Sequence, residues 1–146
     1  MNHQRTENRV LLVSSDWSVR DSLADALQLA GFDVLPAENG RKAVQALAAN
    51  SINVILLDFQ TPFDGSDFVS TRSSTLEALT DIDPFLPLVL TCEPEAELDH
   101  ATSLMADMVL IHPVELSALL EAIDMLLVET LKERVHRKSA DIAIYR

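Results

Sequence analysis

The stretch Val54-Ile55-Leu56-Leu57-Asp58-Phe59-Gln60-Thr61-Pro62-Phe63-Asp64-Gly65 decides the fold. Its four leading apolar residues are too few for a helix and show no polar alternation, so they read as a strand buried on both faces. A carboxylate closes the run and turn formers follow at once. A buried strand with Asp58 at its C-terminal mouth belongs to an open parallel α/β sheet, whose ligands collect just beyond the carboxyl ends of the strands. Three other runs end in polar side chains: Leu88-Val89-Leu90 at Thr91, Met108-Val109-Leu110-Ile111 at His112-Pro113, and Val10-Leu11-Leu12-Val13 at Ser14-Ser15. One site can hold Asp58, Thr91 and His112 together. The first strand delivers hydroxyls there, where a metal site would want carboxylates.

Outward from these runs, strand-like and helix-periodic segments alternate, the signature of strand-helix-strand units. Strands are expected at residues 10–13, 32–35, 52–57, 88–91 and 108–111. After the first, Ser18 and Asp21 resemble a capping box, and Val19, Leu23, Leu27 and Ala30 share a helical face until Gly31 stops it. Asn39-Gly40 leads into a short helix with Val44, Leu47 and Ala48 facing inward. Between Ser66 and Asp81 a run of Ser and Thr weakens helical propensity, which predicts a late or frayed third helix. Pro94 starts a fourth helix running to about Met105. From Val114 onward Leu116, Leu119, Leu120, Ile123, Leu127, Leu131 and Val135 recur at three and four residues, a last helix long enough to protrude. Right-handed crossovers make this an α/β, doubly wound, five-stranded parallel sheet in order 2-1-3-4-5 with helices on both faces. The expected divisions are a flexible tail at residues 1–8, one domain at 9–130 and a C-terminal helical extension or tail at 131–146, too short for an effector domain.

Composition narrows the function classes. A chain of 146 residues, 48% of them apolar, is enough for one domain with an ordinary core. No apolar stretch approaches a membrane span, and the polar start lacks the centre of a signal peptide, so a cytoplasmic location with no membrane contact is expected. Cys92 is the only cysteine, which rules out an internal disulfide and a cysteine-based zinc site. The four histidines are scattered. Residues 43–131 carry one basic and fifteen acidic groups, whereas 132–146 carry five basic and two acidic. So acidic a body repels phosphate backbones, and nucleic-acid binding by it is not expected.

Four segments, in order and spacing, carry a resemblance over about residues 9–130. They are Val10-Leu11-Leu12-Val13 through Arg20 and Leu23; Ala37-Glu38-Asn39-Gly40-Arg41-Lys42-Ala43-Val44; Leu57-Asp58-Phe59-Gln60-Thr61-Pro62 with Asp64-Gly65; and Ala106-Asp107-Met108-Val109-Leu110-Ile111-His112-Pro113. Together the chain resembles the receiver domain of two-component response regulators, with the stretch from Pro62 to Gly65 one residue short. The resemblance implies a phosphorelay signalling module, not an enzyme in its own right. In it Asp58 is the phosphoacceptor, a covalent nucleophile served by a sensor histidine kinase or phosphotransfer protein. It implies Mg²⁺ held by an acidic pair after the first strand, by Asp58 and by the backbone carbonyl of Gln60, with Thr91 on the phosphoryl oxygens. It also implies a structural His112-Pro113 turn with a cis peptide, and an output or homodimer face from Glu95 to Thr130.

The departures matter as much. Ser14 and Ser15 occupy the places of the acidic pair, so Mg²⁺ should bind weakly. Asp16 is one residue late. His112 replaces the family's Lys, with a charge that depends on its surroundings near neutral pH. Val109 replaces the aromatic that swings inward on activation. These losses are mutually consistent, because a lone carboxylate has less need of a permanent cation. They leave two readings, an acceptor with weakened Mg²⁺-dependent phosphorylation and a pseudo-receiver acting through protein contacts alone. A remote third is a flavodoxin-like cofactor protein, suggested by the hydroxyl-rich loop Ser14-Ser15-Asp16-Trp17-Ser18. That loop has no glycine for phosphate approach, so no organic cofactor is expected.

Overall fold

The protein was analysed as a computed structural model, which describes residues 8–64 and 71–144. Five strands, β1 (Arg9–Val13), β2 (Asp33–Ala37), β3 (Val54–Asp58), β4 (Leu88–Cys92) and β5 (Met108–Ile111), form one parallel sheet in the order β2-β1-β3-β4-β5. This is the expected doubly wound topology. Six helices accompany them among the described residues: α1 (Trp17–Leu29), α2 (Gly40–Ala49), α3 (Thr71–Ile82), α4 (His100–Met105), α5 (Leu116–Val128) and α6 (Leu131–Ile144).

Side chains alternate across each strand, and the two faces build two cores. Val10, Leu12, Val54, Leu56 and Val89 pack with Leu27 of α1 and with Leu119, Ile123 and Leu126 of α5. Leu11, Val13, Ile55, Leu57, Leu88 and Leu90 pack with Ala43 of α2 and with Leu76 and Leu79 of α3. The central strands are buried from both sides, which is why they read as unbroken apolar runs. Edge strand β2 tolerates Pro36, whose missing N–H costs no ladder bond on an open side.

Several boundaries differ from expectation for identifiable reasons. The N-cap of α1 is Asp16, whose Oδ1 accepts from Ser18 N (3.0 Å) and Val19 N (3.2 Å), so Ser18 lies inside the helix. Gly31, at φ 102°, ends that helix as expected. In α2 Ala43 takes the buried place and Ala48 is exposed. Within the described residues the third helix runs Thr71–Ile82; residues 65–70, where its late or frayed start was expected, lie outside them. The fourth begins at His100 and not at Pro94, because the Asp99 side chain caps it by accepting from Thr102 N at 2.7 Å. The last helix breaks. Thr130 N donates to Glu133 Oε1 and Glu133 N to Thr130 Oγ1, both at 3.1 Å, a reciprocal capping box that starts a separate α6. This second helix does not protrude. Lys138 Nζ donates to the carbonyls of Pro84 (3.0 Å) and Leu86 (3.1 Å), which folds α6 back across the N-terminal ends of β4 and β5. Of the expected N-terminal tail only Asn8 is described, so the tail lies outside the described residues.

Gly40 holds the loop after β3. Its N–H donates to Pro62 O (3.0 Å) and that of Arg41 to Phe63 O (2.6 Å), so the first turn of α2 is seated on the loop carbonyls. A Cβ at Gly40 would lie 2.5 Å from Thr75 Oγ1 and 2.8 Å from Phe63 Cα, closer than any side chain can come.

Candidate functional site

The site follows from strand parity. Leu12, Leu56, Val89 and Leu110 all face the core under α1 and α5. Two residues further along each chain, on the same face, come Ser14, Asp58, Thr91 and His112. Parallel register puts Asp58 beside Thr91 and makes the four side chains converge at the C-terminal edge of the sheet. Asp58 keeps 14% of its side-chain surface exposed and His112 19%, whereas Ser14 and Thr91 are buried. The carboxylate and the imidazole are thus both partly reachable above two buried hydroxyls.

Three neighbours surround it. Ser14 Oγ donates to Asp58 Oδ2 at 3.4 Å, Thr91 Oγ1 to Oδ1 at 3.5 Å, and His112 Nε2 stands 3.6 Å from Oδ1. A closed hydroxyl-to-carboxylate bond spans about 2.6 Å, so each of these contacts is long by most of an ångström. The groups converge on the carboxylate without gripping it, which leaves room at its oxygens for an incoming atom. The His112-Pro113 bond is cis.

The other expected residues are placed as follows. Ser15 and Gln60 are exposed, and the Asp16 carboxylate is committed to the α1 cap. Val109 points to the opposite face and packs partly buried against the core under α2 and α3. Arg20, named in the sequence only as part of the first matching segment and given no role at the site, donates from Nη1 to Ser14 O at 2.7 Å and pins the first loop beneath the site. The signal was a basic residue six after Ser14 in a helix otherwise charged by Asp21 and Asp25. Cys92 is 1% exposed, and its thiol pKa is raised by burial first and by the charges of Asp58 and Glu93 second.

For a hard divalent cation this donor set is poor. It offers one carboxylate, two hydroxyls that already point their protons at it, and an imidazole, whereas Mg²⁺ selects oxygen anions and water. Among the described residues no three His, Cys, Asp or Glu side chains are grouped to hold a metal ion. The flavin-like alternative also meets an obstacle in the first loop. Asp16 already occupies the Ser18 and Val19 N–H groups with which a helix N-terminus would bind phosphate.

No protein-family model matches the chain. It is 31% identical over 124 residues, 84% of its length, to the transcriptional regulatory protein PrrA of Mycobacterium tuberculosis, of which it covers 51%. Over 84 residues, 47% of the chain, it is 32% identical to the uncharacterized transcriptional regulatory protein YrkP of Bacillus subtilis, covering 36% of that protein. The chain therefore spans about half or less of these relatives. Among solved structures it is similar to a response regulator receiver domain protein of Clostridium thermocellum, with a TM-score of 0.70 at 20% identity over 82% of this chain and 94% of that one. It is also similar to the response regulator TrrA of Thermotoga maritima in complex with Mg²⁺-BeF, with a TM-score of 0.71 at 21% identity over 82% and 99%.

Proposed function

We propose, from the premise that the chain is a response-regulator receiver domain of the two-component type, that Asp58 accepts a phosphoryl group with little help from Mg²⁺. The observation that carries this reading is the open ring at Asp58, in which Ser14, Thr91 and His112 stand 3.4–3.6 Å from a partly exposed carboxylate. In the step itself an Asp58 oxygen attacks the phosphorus of a phosphohistidine on the partner kinase or phosphotransfer protein. The new O–P bond replaces the N–P bond, whose electron pair stays on the donor imidazole. Thr91 Oγ and Ser14 Oγ are placed to donate to the phosphoryl oxygens, and His112 to contribute charge when protonated. With Ser14 and Ser15 in place of an acidic pair, Mg²⁺ adds less here than in a receiver that keeps one. The protein acts as a stoichiometric cytoplasmic signalling acceptor, not as a turnover enzyme.

A second reading, a pseudo-receiver working by protein contacts alone, is favoured by Val109. A partly buried aliphatic side chain packed against the core offers no aromatic swing to carry phosphorylation to the surface. In either reading the output or homodimer face is that of α4, β5 and α5, where Ile111 (49%) and Leu116 (41%) are exposed. Nucleic acid is not a partner of the acidic body. Intact mass after incubation with a small acyl phosphate, with Mg²⁺ or with chelator, tests the first reading. One added phosphoryl group, absent in Asp58→Asn and only modestly reduced by chelator, supports it; no adduct under either condition leaves the second.

A further inference from the structure

At the opposite end of the sheet lies a second charged cluster. Asp107 has a fully buried side chain just before β5; its Oδ2 accepts from Leu88 N at 2.7 Å and lies 3.1 Å from Lys138 Nζ. Its Oδ1 is 2.8 Å from Arg137 Nη1, an ion pair without the alignment of a hydrogen bond. Arg137 also donates twice to Glu129, at 2.8 Å each. Arg134 reaches the carbonyls of Leu126 (3.4 Å), Glu129 (3.2 Å) and Phe85 (3.4 Å). Thus α6 is fastened to the body chiefly by three cations, while Leu131 at its start is 65% exposed and Val128 just before it 74%.

The hinge is two residues, Glu129 and Thr130, with neither Pro nor Gly between α5 and α6. A continuous helix through these positions would satisfy the last carbonyls of α5 and the first N–H groups of α6 by ordinary helical bonds. In the folded-back form the same groups are satisfied by Arg134 and by the capping box of Thr130 and Glu133. Leu127, Leu131 and Val135 keep helical spacing across the break, so the sequence accommodates both arrangements.

We infer that α6 is a releasable strap. It closes over the base of β4 and β5 through Arg134, Arg137 and Lys138, and it opens about Glu129–Thr130 into a helix continuous with α5. Opening bares the Asp107 carboxylate and the carbonyls of Pro84, Phe85 and Leu86, and it swings out a 14-residue helix whose far end then lies about 20 Å from the hinge, at 1.5 Å per residue.

Native-state hydrogen exchange on the intact chain tests the strap. The amides of α6 are expected to exchange at least about tenfold faster than those of β1 and β3, through an opening that leaves the sheet closed. The variant R137E/K138E is expected to bring α6 close to unprotected rates, to add protease cleavage within residues 130–135 and to enlarge the hydrodynamic radius, with β3 still protected. Exchange of α6 in step with β3 in the wild type would overturn the inference, since the helix would then open only with the whole domain. So would a folded R137E/K138E protein with wild-type radius and protection. If that variant does not fold, the wild-type exchange pattern decides.

Discussion

Asp58 and Asp107, carboxylates at opposite ends of the sheet, are treated in opposite ways. At the C-terminal edge, Asp58 is partly exposed and, among the described residues, meets two hydroxyls and an imidazole, all at 3.4–3.6 Å. At the N-terminal edge, Asp107 is wholly buried and meets a backbone N–H and two cations at 2.7–3.1 Å. A buried charge persists only when it is paired and hydrogen-bonded, so the base of the sheet is built as closed structure. A carboxylate kept reachable and loosely surrounded has unspent bonding capacity. That contrast sets a carboxylate locked by close partners against one left partly exposed among distant ones.

The largest effect should come from removing the tightly held partner. Asp107→Ala removes the carboxylate paired with Arg137 and Lys138 and leaves Leu88 N–H unpaired, a loss of about 3–5 kcal/mol, read as a lowered midpoint in urea. A midpoint unchanged from wild type would erase the contrast at its strong end. Next comes acid. Hydrogen bonding by Arg137 holds Glu129 below the ordinary glutamate value of 4.5. A depressed folded pKa stabilises above that value and is lost as pH falls through the folded one. Protection of α6 should therefore weaken below pH 4.5 before the sheet unfolds, and Glu129→Gln should remove that separation.

At the loose end, Ser14→Asp combined with Ser15→Asp should tighten Mg²⁺ binding by about tenfold or more, or about 1.4 kcal/mol. Trp17, 69% exposed at the start of α1, can report it by fluorescence. Affinity equal to that of the wild type would mean that the hydroxyls are no handicap. The smallest change is expected for Asp58→Asn, less than about 1 kcal/mol in either direction, by the same urea midpoint. A loss comparable to that of Asp107→Ala would show that Asp58 is structural after all.

Strand order and the convergence of Ser14, Asp58, Thr91 and His112 were legible because a two-residue period and parallel register leave little freedom. The helix ends were less so, since Asp16 and Ser18 both satisfy capping preferences and only the path of the chain chooses between them. The fold-back of α6 was hidden by apolar spacing that runs unbroken from Leu116 to Val135. Yet Thr130-Leu131-Lys132-Glu133 has the form of a capping box, and Arg134, Arg137 and Lys138 share one helical face. What no local pattern could supply was their destination, a buried carboxylate at Asp107 and carbonyls some fifty residues earlier in the chain.

Cys92 gives the molecule a practical property of a different kind. As the only thiol in the chain, sealed at the end of β4 and shifted by burial away from its reactive thiolate, it is a poor target for maleimide or iodoacetamide. A cysteine introduced on the exposed face of α6 would be labelled against a silent background, without first altering the native residue. Fluorophores or spin probes can thus be placed one at a time, and the position of the last helix followed in solution on an otherwise unmodified chain.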